Sequence, residues 1–230
     1  MTDAVEPTDS GQPDAGAAGT DYRPTRFGRD DVEFGRSLAY VDATFAIATT
    51  LLVTTLIPGP EAWRNWSTFW ETQQGPLLAF ALSFVVISSF WWGNHRLVAA
   101  LGTINTTFVI ASLVMLAFVA VVPFTTDGLG SIDGSDGQVA TVVYAVNIAL
   151  VSLSSTALIW VAYRDRLFRR QPTPENFRWT IVAVIDTPIV FLVSVPVALF
   201  VSVPLARWMW LLLILTGTLT NRSRRRSMAR

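Results

Sequence analysis

The sequence predicts an all-α integral membrane protein with six transmembrane helices and both termini in the cytoplasm. Three observations carry that prediction. Of the 230 residues 51% are hydrophobic and only 15% charged, with a mean hydropathy of +0.44, the balance of a chain embedded in lipid. The apolar residues gather into blocks long enough to cross a bilayer, since twenty residues of helix rise about 30 Å. The arginines collect at alternate block ends. Net charge is zero, and all 17 basic residues are arginine, a compositional bias without mechanistic weight. Cysteine is absent, which excludes disulfides, thiolate metal sites and cysteine nucleophiles. The single histidine, His95, excludes a multi-histidine metal site within one chain.

Taken in order, residues 1–28 are rich in Asp, Gly, Ala, Pro and Thr without apolar periodicity, and read as a disordered tail rather than a signal peptide. The membrane domain covers residues 29–220, followed by a basic tail, 221–230. Span one runs from Ser37 to Ile57 and stops at Pro58-Gly59-Pro60. Trp63, Trp66, Phe69 and Trp70 then form an interfacial aromatic belt. Span two, Pro76 to Leu97, ends in Trp91, Trp92, Asn94, His95 and Arg96. Span three, Ile104 to Phe124, closes at Val122-Pro123-Phe124 before a glycine-rich acidic loop. Spans four, five and six are Val139 to Tyr163, Arg178 to Val195 and Leu199 to Leu219, the last two forming a tight hairpin around Pro196 and Pro204.

Arginine placement orients the spans. The N-terminal flank (Arg23, Arg26, Arg29, Arg36), the loop after span two (Arg96), the loop after span four (Arg164, Arg166, Arg169, Arg170, Arg178) and the C-terminal tail hold all but Arg64 and Arg207. Six spans put every cluster on one side; five or seven would strand one outside.

Span one carries the ionisable residues that invite a functional reading. At about 100° per residue, Arg36, Tyr40, Ala43, Ile47, Leu51 and Thr54 stack along one stripe, with Thr50 on its flank. Asp42 lies roughly 140° round from Ile47 and so points at neighbouring helices when the stripe faces a pore or a partner. There it needs a polar partner. His95, Arg96 and Arg36 are candidates, because the Trp92 to Arg96 run ends span two at matching depth. The plainer alternatives are that the stripe faces lipid with Asp42 near the headgroups, and that His95 is an interfacial residue without a role.

Arg36, Tyr40, Val41 and Asp42 resemble the Arg-x-x-x-Phe-Ser-Asp signature of the transmembrane protein 175 family of potassium channels, with Tyr40 for Phe and Val41 for Ser. The run from Ser83-Phe84 to Trp92-x-x-His95-Arg96 is similar to that family's second span, and Pro123-Phe124 to the end of its third. The resemblance covers roughly residues 34–220, one six-span repeat. It implies a potassium-selective, leak-like channel in which first helices surround the pore and an apolar ring replaces a carbonyl-lined filter. By position Ile47 becomes the constriction, Leu51 and Thr54 further ring members, and Thr50 the hydroxyl layer that contributes to selectivity. Arg36, Asp42, Trp92 and His95 become the packing network behind span one. With one repeat per chain, four copies close the pore, which implies a homotetramer. The expected partners are potassium ions, other copies of the chain and the bilayer of a bacterial-type plasma membrane. No nucleic acid, cofactor or metal beyond transient potassium is expected. No TVGYG-like segment is present, so an ordinary potassium filter is not available.

A proton-coupled carrier is the competing class. Asp186 sits near the middle of span five beside Pro188, and an acid next to a helix break suits transport, as Asp42 also could. The plainer reading pairs Asp186 with Asn147 or Tyr144 on span four. A membrane enzyme has little support: no Ser-His-Asp set, metal-ligand set or phosphate-cradling loop can be placed. The basic stretch Arg164 to Arg170 could hold anionic lipid, but topology alone accounts for it.

Overall fold

In the computed structural model, which describes residues 25–131 and 137–210, five helices are long and apolar enough to cross a membrane and a sixth begins at residue 203. The chain is thus a multi-pass membrane protein, almost entirely helical. A short strand, β1 (Arg26–Gly28), precedes α1 (Val32–Leu51), which tightens into a 3-10 turn over Leu52–Thr55. A second 3-10 turn, Pro60–Trp63, leads to α2 (Trp66–Ala100). Then come β2 (Thr103–Asn105), α3 (Thr106–Ser131), α4 (Gln138–Arg164), α5 (Pro174–Phe200) and the opening of α6, residues 203–210.

Three of the boundaries that differ from the sequence expectation share one reason, a proline that the helix runs through. Helix α2 starts ten residues before Pro76, at Trp66, capped by Asn65, whose side chain accepts from the Thr68 N–H at 2.9 Å. That cap nucleates a turn through Trp66, Phe69 and Trp70, so part of the expected aromatic loop is helix. Likewise α3 passes Pro123 and continues to Ser131, and α5 absorbs Pro188 and Pro196 and reaches Phe200. In a bundle, neighbouring helices keep such segments helical although one backbone bond is lost. Span six therefore starts after a break at Val201 and Ser202, whose N–H groups both donate to the Val197 carbonyl. Its remainder, with residues 1–24 and 221–230, lies outside the described residues. Within the expected tail of residues 1–28, Arg26–Gly28 form β1.

Helix α4 is the most enclosed of the five, packed between α3 and α5 with Tyr144, Ile148, Ala149, Val151, Leu158 and Ala162 buried. Helix α1 leans on α2 and α3. A polar seam runs through the interior. Thr126 Oγ1 lies 2.7 Å from Ser83 Oγ, Ser83 donates to the Tyr144 hydroxyl at 3.1 Å, and Asn147 donates to Thr125 Oγ1 at 3.4 Å. Such bonds fix helix register where lipid gives no hydrophobic drive for association.

At Gly130 the α3 backbone comes so close to α2 that an added Cβ would stand 2.9 Å from Pro76 Cα and 3.3 Å from Ala79 Cβ. Backbone cannot yield as a side-chain tip can. Gly130→Ala is expected to lower the stability of the solubilised protein by about 1–3 kcal/mol, the cost of overpacking. Thermal unfolding in detergent checks this; an unchanged midpoint would remove the close approach.

One end of the bundle is sewn together by the segments between helices. β1 pairs antiparallel with β2, matching Arg26 to Asn105, Phe27 to Ile104 and Gly28 to Thr103. Asn105 Oδ1 accepts from the Phe108 N–H at 2.9 Å, capping α3, while its Nδ2 donates to Asp165 at 2.7 Å. Arg26 donates to the Asp165 carbonyl at 2.9 Å. The Gly102 and Thr103 N–H groups donate to Leu167, and Arg169 N–H to Ala100. The hydrogen-bonded Arg164 guanidinium holds the Asp165 carboxyl below the usual carboxylate range; partial burial opposes this and the Asn105 amide assists it. Asp165 is therefore a carboxylate at neutral pH.

Candidate ion pathway

Helix α1 has two apolar faces, and among the described residues only one is buried. Phe34, Val41, Phe45, Ala48 and Leu52 are buried at helical spacing against α2 and α3. The opposite face, Arg36, Tyr40, Ala43, Ile47, Thr50, Leu51 and Thr54, is exposed along its whole length. Ile47 is 58% exposed and Leu51 45%. The uncovered face coincides with the stripe deduced from 100° periodicity.

The hydroxyls on this face have a defined polarity. Thr50 Oγ1 donates to the Ile47 carbonyl at 2.9 Å, and Thr54 Oγ1 to the Leu51 carbonyl at 2.7 Å. With its proton turned back onto the helix, each hydroxyl has lone pairs left as acceptors, which is what a partly dehydrated cation needs. The 3-10 turn matters here. Residues three apart eclipse in that geometry, so Thr54 lies over Leu51 rather than drifting round the helix.

Behind the stripe, Asp42 is half-buried and accepts from Trp91 Nε1 at 3.0 Å. Trp91 and Trp92 both stack on His95, with ring centroids 5.5 and 5.8 Å away. The structure thus joins Asp42 on α1 to Trp91 on α2, with His95 and Trp92 stacked beside that indole on the exposed side of α2. The donor is the indole, however, not the expected His95. Sequence reasoning passed over Trp91, although its place four residues before His95 on one helix face was a usable signal. Arg36 stands apart, its nearest acid being Glu33 at 3.8 Å on the exposed side of α1.

Asp186 also departs from expectation. It is exposed on α5, with Oδ1 accepting from the N–H and hydroxyl of Thr187 at 2.6 and 3.3 Å. Asn147 and Tyr144, its expected partners, bond to Thr125 and Ser83 instead. Among the described residues no group of three acidic, His or Cys side chains could hold a metal ion.

Comparison with known proteins adds an independent line. A family model described as the endosomal/lysosomal potassium channel TMEM175 matches residues 36–123, from Arg36 on α1 to Pro123 on α3. A potassium channel of Streptomyces collinus is 30% identical over 135 residues, 56% of this chain and 64% of the relative. A potassium channel of a Chryseobacterium species is 25% identical over 125 residues, 54% of this chain and 62% of the relative. The matches thus span less than two thirds of either relative. Among solved structures, a lysosomal potassium-selective channel TMEM175 homolog from Chamaesiphon minutus superposes with TM-score 0.70 at 26% identity, covering 83% of this chain and 98% of the other. A variant of the potassium channel MtTMEM175, solved with a nanobody fusion, gives TM-score 0.59 at 15% identity over 90% of this chain and 98% of the other, a likeness of fold alone.

Proposed function

We propose, from the match of residues 36–123 to the TMEM175 family model, that this chain is a TMEM175-type potassium-selective, leak-like channel, not an enzyme, whose pore is lined by α1 of four copies. The observation that carries this reading is the uncovered face of α1. A helix already buried along Phe34, Phe45 and Leu52 presents a second ordered row of aliphatic and hydroxyl side chains, and fourfold repetition turns that row into rings. Ile47 forms the hydrophobic constriction. Thr50, Leu51 and Thr54 form the rings beyond it, with the threonine lone pairs replacing part of the ion's hydration shell. Asp42, Trp91, Trp92 and His95 hold α1 on α2 from outside the pathway, and Arg36 lies at its mouth.

Arg26, Arg29, Arg96, Arg164, Arg166, Arg169, Arg170 and Arg178 cluster at the end where β1 meets β2, which supports placing that end in the cytoplasm of a bacterial-type plasma membrane. A proton-coupled carrier is less well supported. Asp186 faces away from the bundle, whereas a coupled carrier needs its acid between moving helices.

Two measurements test the proposal. The mass of the solubilised complex is expected to be that of four chains; a monomer or dimer that still conducts would remove the central pore. Purified protein in liposomes is expected to pass potassium in preference to sodium without requiring a proton gradient. Flux that depends on that gradient would favour the carrier.

A further inference from the structure

Among the described residues the face of α1 that would line a pore is left exposed, so contacts on the other side must fix where the helix stands. Packing on α2 and α3 supplies part of this. The rest lies just ahead of the helix. Arg29 reaches back across the bundle end and donates from Nε to the Leu101 carbonyl at 2.9 Å, and from Nη2 to those of Val98 and Ala99 at 3.1 Å each. Val98 and Ala99 lie in the last turn of α2 and Leu101 is its C-cap, so the guanidinium sits at the negative end of the helix dipole, sharing the Val98 carbonyl with the Leu101 N–H. The same guanidinium lies 5.5 Å from the Phe34 ring centroid, on the buried side of the first turn of α1. One side chain therefore binds the end of α2 and the start of α1 together.

The backbone on either side of Arg29 is also held. β1 is clamped to β2, and a turn in which Gly28 N–H donates to Asp31 Oδ2 at 2.6 Å carries the chain directly into α1. Arg26 and Asn105 both bond Asp165, which ties this strand pair to the α4–α5 turn. Three separate segments thus converge on the six residues, Arg26–Asp31, that precede the helix.

We propose that Arg29, backed by the Arg26–Asp165–Asn105 knot, is the positioning residue for the pore helix: it fixes the inner end of α1 against the body of its own subunit and so sets the spacing between stripes in the assembly. This rests on the channel reading for its effect on flux, but its effect on α1 is separate. Arg29 itself never touches the ion. Its role is to hold the register in which Ile47 and Thr50 form rings rather than a loose funnel.

The absence of cysteine allows a clean test. Three proteins are compared in liposomes: wild type, Arg29→Ala, and Arg29→Ala carrying Gly28→Cys and Thr103→Cys. Partner positions on antiparallel strands lie within disulfide reach, and a Cβ at Gly28 would meet Asp31 Oδ2 at an ordinary 3.6 Å. Arg29→Ala is expected to lower potassium flux per assembled complex, or the potassium-to-sodium ratio, by roughly tenfold, the scale of couplings carried through packed elements. Oxidising the cysteine pair should restore most of that loss and reducing it should abolish the restoration. Wild-type flux and selectivity in assembled Arg29→Ala would overturn the proposal. If Arg29→Ala does not assemble, Arg26→Ala, which removes a single bond to Asp165, should show a smaller loss in the same direction, and no loss would count against it. The thiol-labelling rate of a Ser37→Cys reporter on α1 separates the two claims. If wild type carries no current, the channel reading fails, while faster labelling of Ser37→Cys in the Arg29→Ala background still supports the positioning role and an unchanged rate overturns it.

Discussion

Replacing Ile47 with Asn is expected to raise potassium current several-fold and to relax selectivity over sodium, in protein that assembles as wild type does. An apolar ring a few ångströms wide excludes water, and an ion that must shed its shell there meets a barrier without compensating ligands. Ile47 lies eleven residues beyond Arg36, about 16 Å along the helix, which puts it near the middle of the bilayer. It is largely exposed, so the substitution disturbs little packing inside the chain. Asn supplies a carbonyl and an amide on each subunit, enough to keep the constriction wet. Ala should widen the ring with less effect on its polarity. Thr50 lies a turn further on, and Thr50→Val replaces its outward oxygen at nearly constant volume, so potassium preference should fall while assembly is retained. Recordings of Ile47→Asn beside wild type decide the matter. Unchanged conductance and selectivity would remove Ile47 from the pathway.

Trp91→Phe should lower the stability of the complex by about 1.5–3 kcal/mol, the range for a hydrogen bond to a charged group, while leaving selectivity intact. Phe keeps most of the aromatic surface against His95 but removes the Nε1–H that satisfies Asp42 at 3.0 Å. The half-buried carboxylate is then left without its donor on α2. Asp42→Asn should cost less, because its amide oxygen still accepts from the indole, and His95→Ala should act through lost stacking on two tryptophans. Denaturation in detergent, paired with the potassium-to-sodium flux ratio, checks the assignment. A Trp91→Phe complex of normal stability but altered ion preference would place this cluster in the pathway rather than behind it.

Where hydrophobic pattern alone decides, the sequence was a good guide. Helix α4 spans Gln138–Arg164 against an expected Val139 to Tyr163, and the exposed face of α1 is the one its periodicity marks. Prolines caused the boundary errors at α2, α3 and α5, because tertiary contacts in a bundle carry helices through residues that would end them in water. Side-chain partnerships across helices were harder to read. Depth matching put Asp42 opposite the aromatic end of α2, but the choice between Trp91 and His95 depends on rotation of α2 by less than a turn. Arg36 could be placed near Asp42 by sequence distance, yet its side chain extends to the exposed side with Glu33. The strand pair and the reach of Arg29 to the end of α2 had no local signature, since three-residue strands carry too little periodicity to register and their partner lies some 75 residues away.

The most direct test of the central claim, that the uncovered face of α1 lines the conduction path, is a cysteine scan along this naturally cysteine-free chain. Single cysteines at Ala43, Ile47, Thr50, Leu51 and Thr54, and at Val41, Phe45, Ala48 and Leu52, would be exposed to a charged, water-borne thiol reagent while potassium flux is followed. The account predicts block or a sharp change in flux at the first set and no reagent effect at those members of the second that still assemble. Silence along the first set, with flux intact, would contradict it and leave that face of α1 to the lipid.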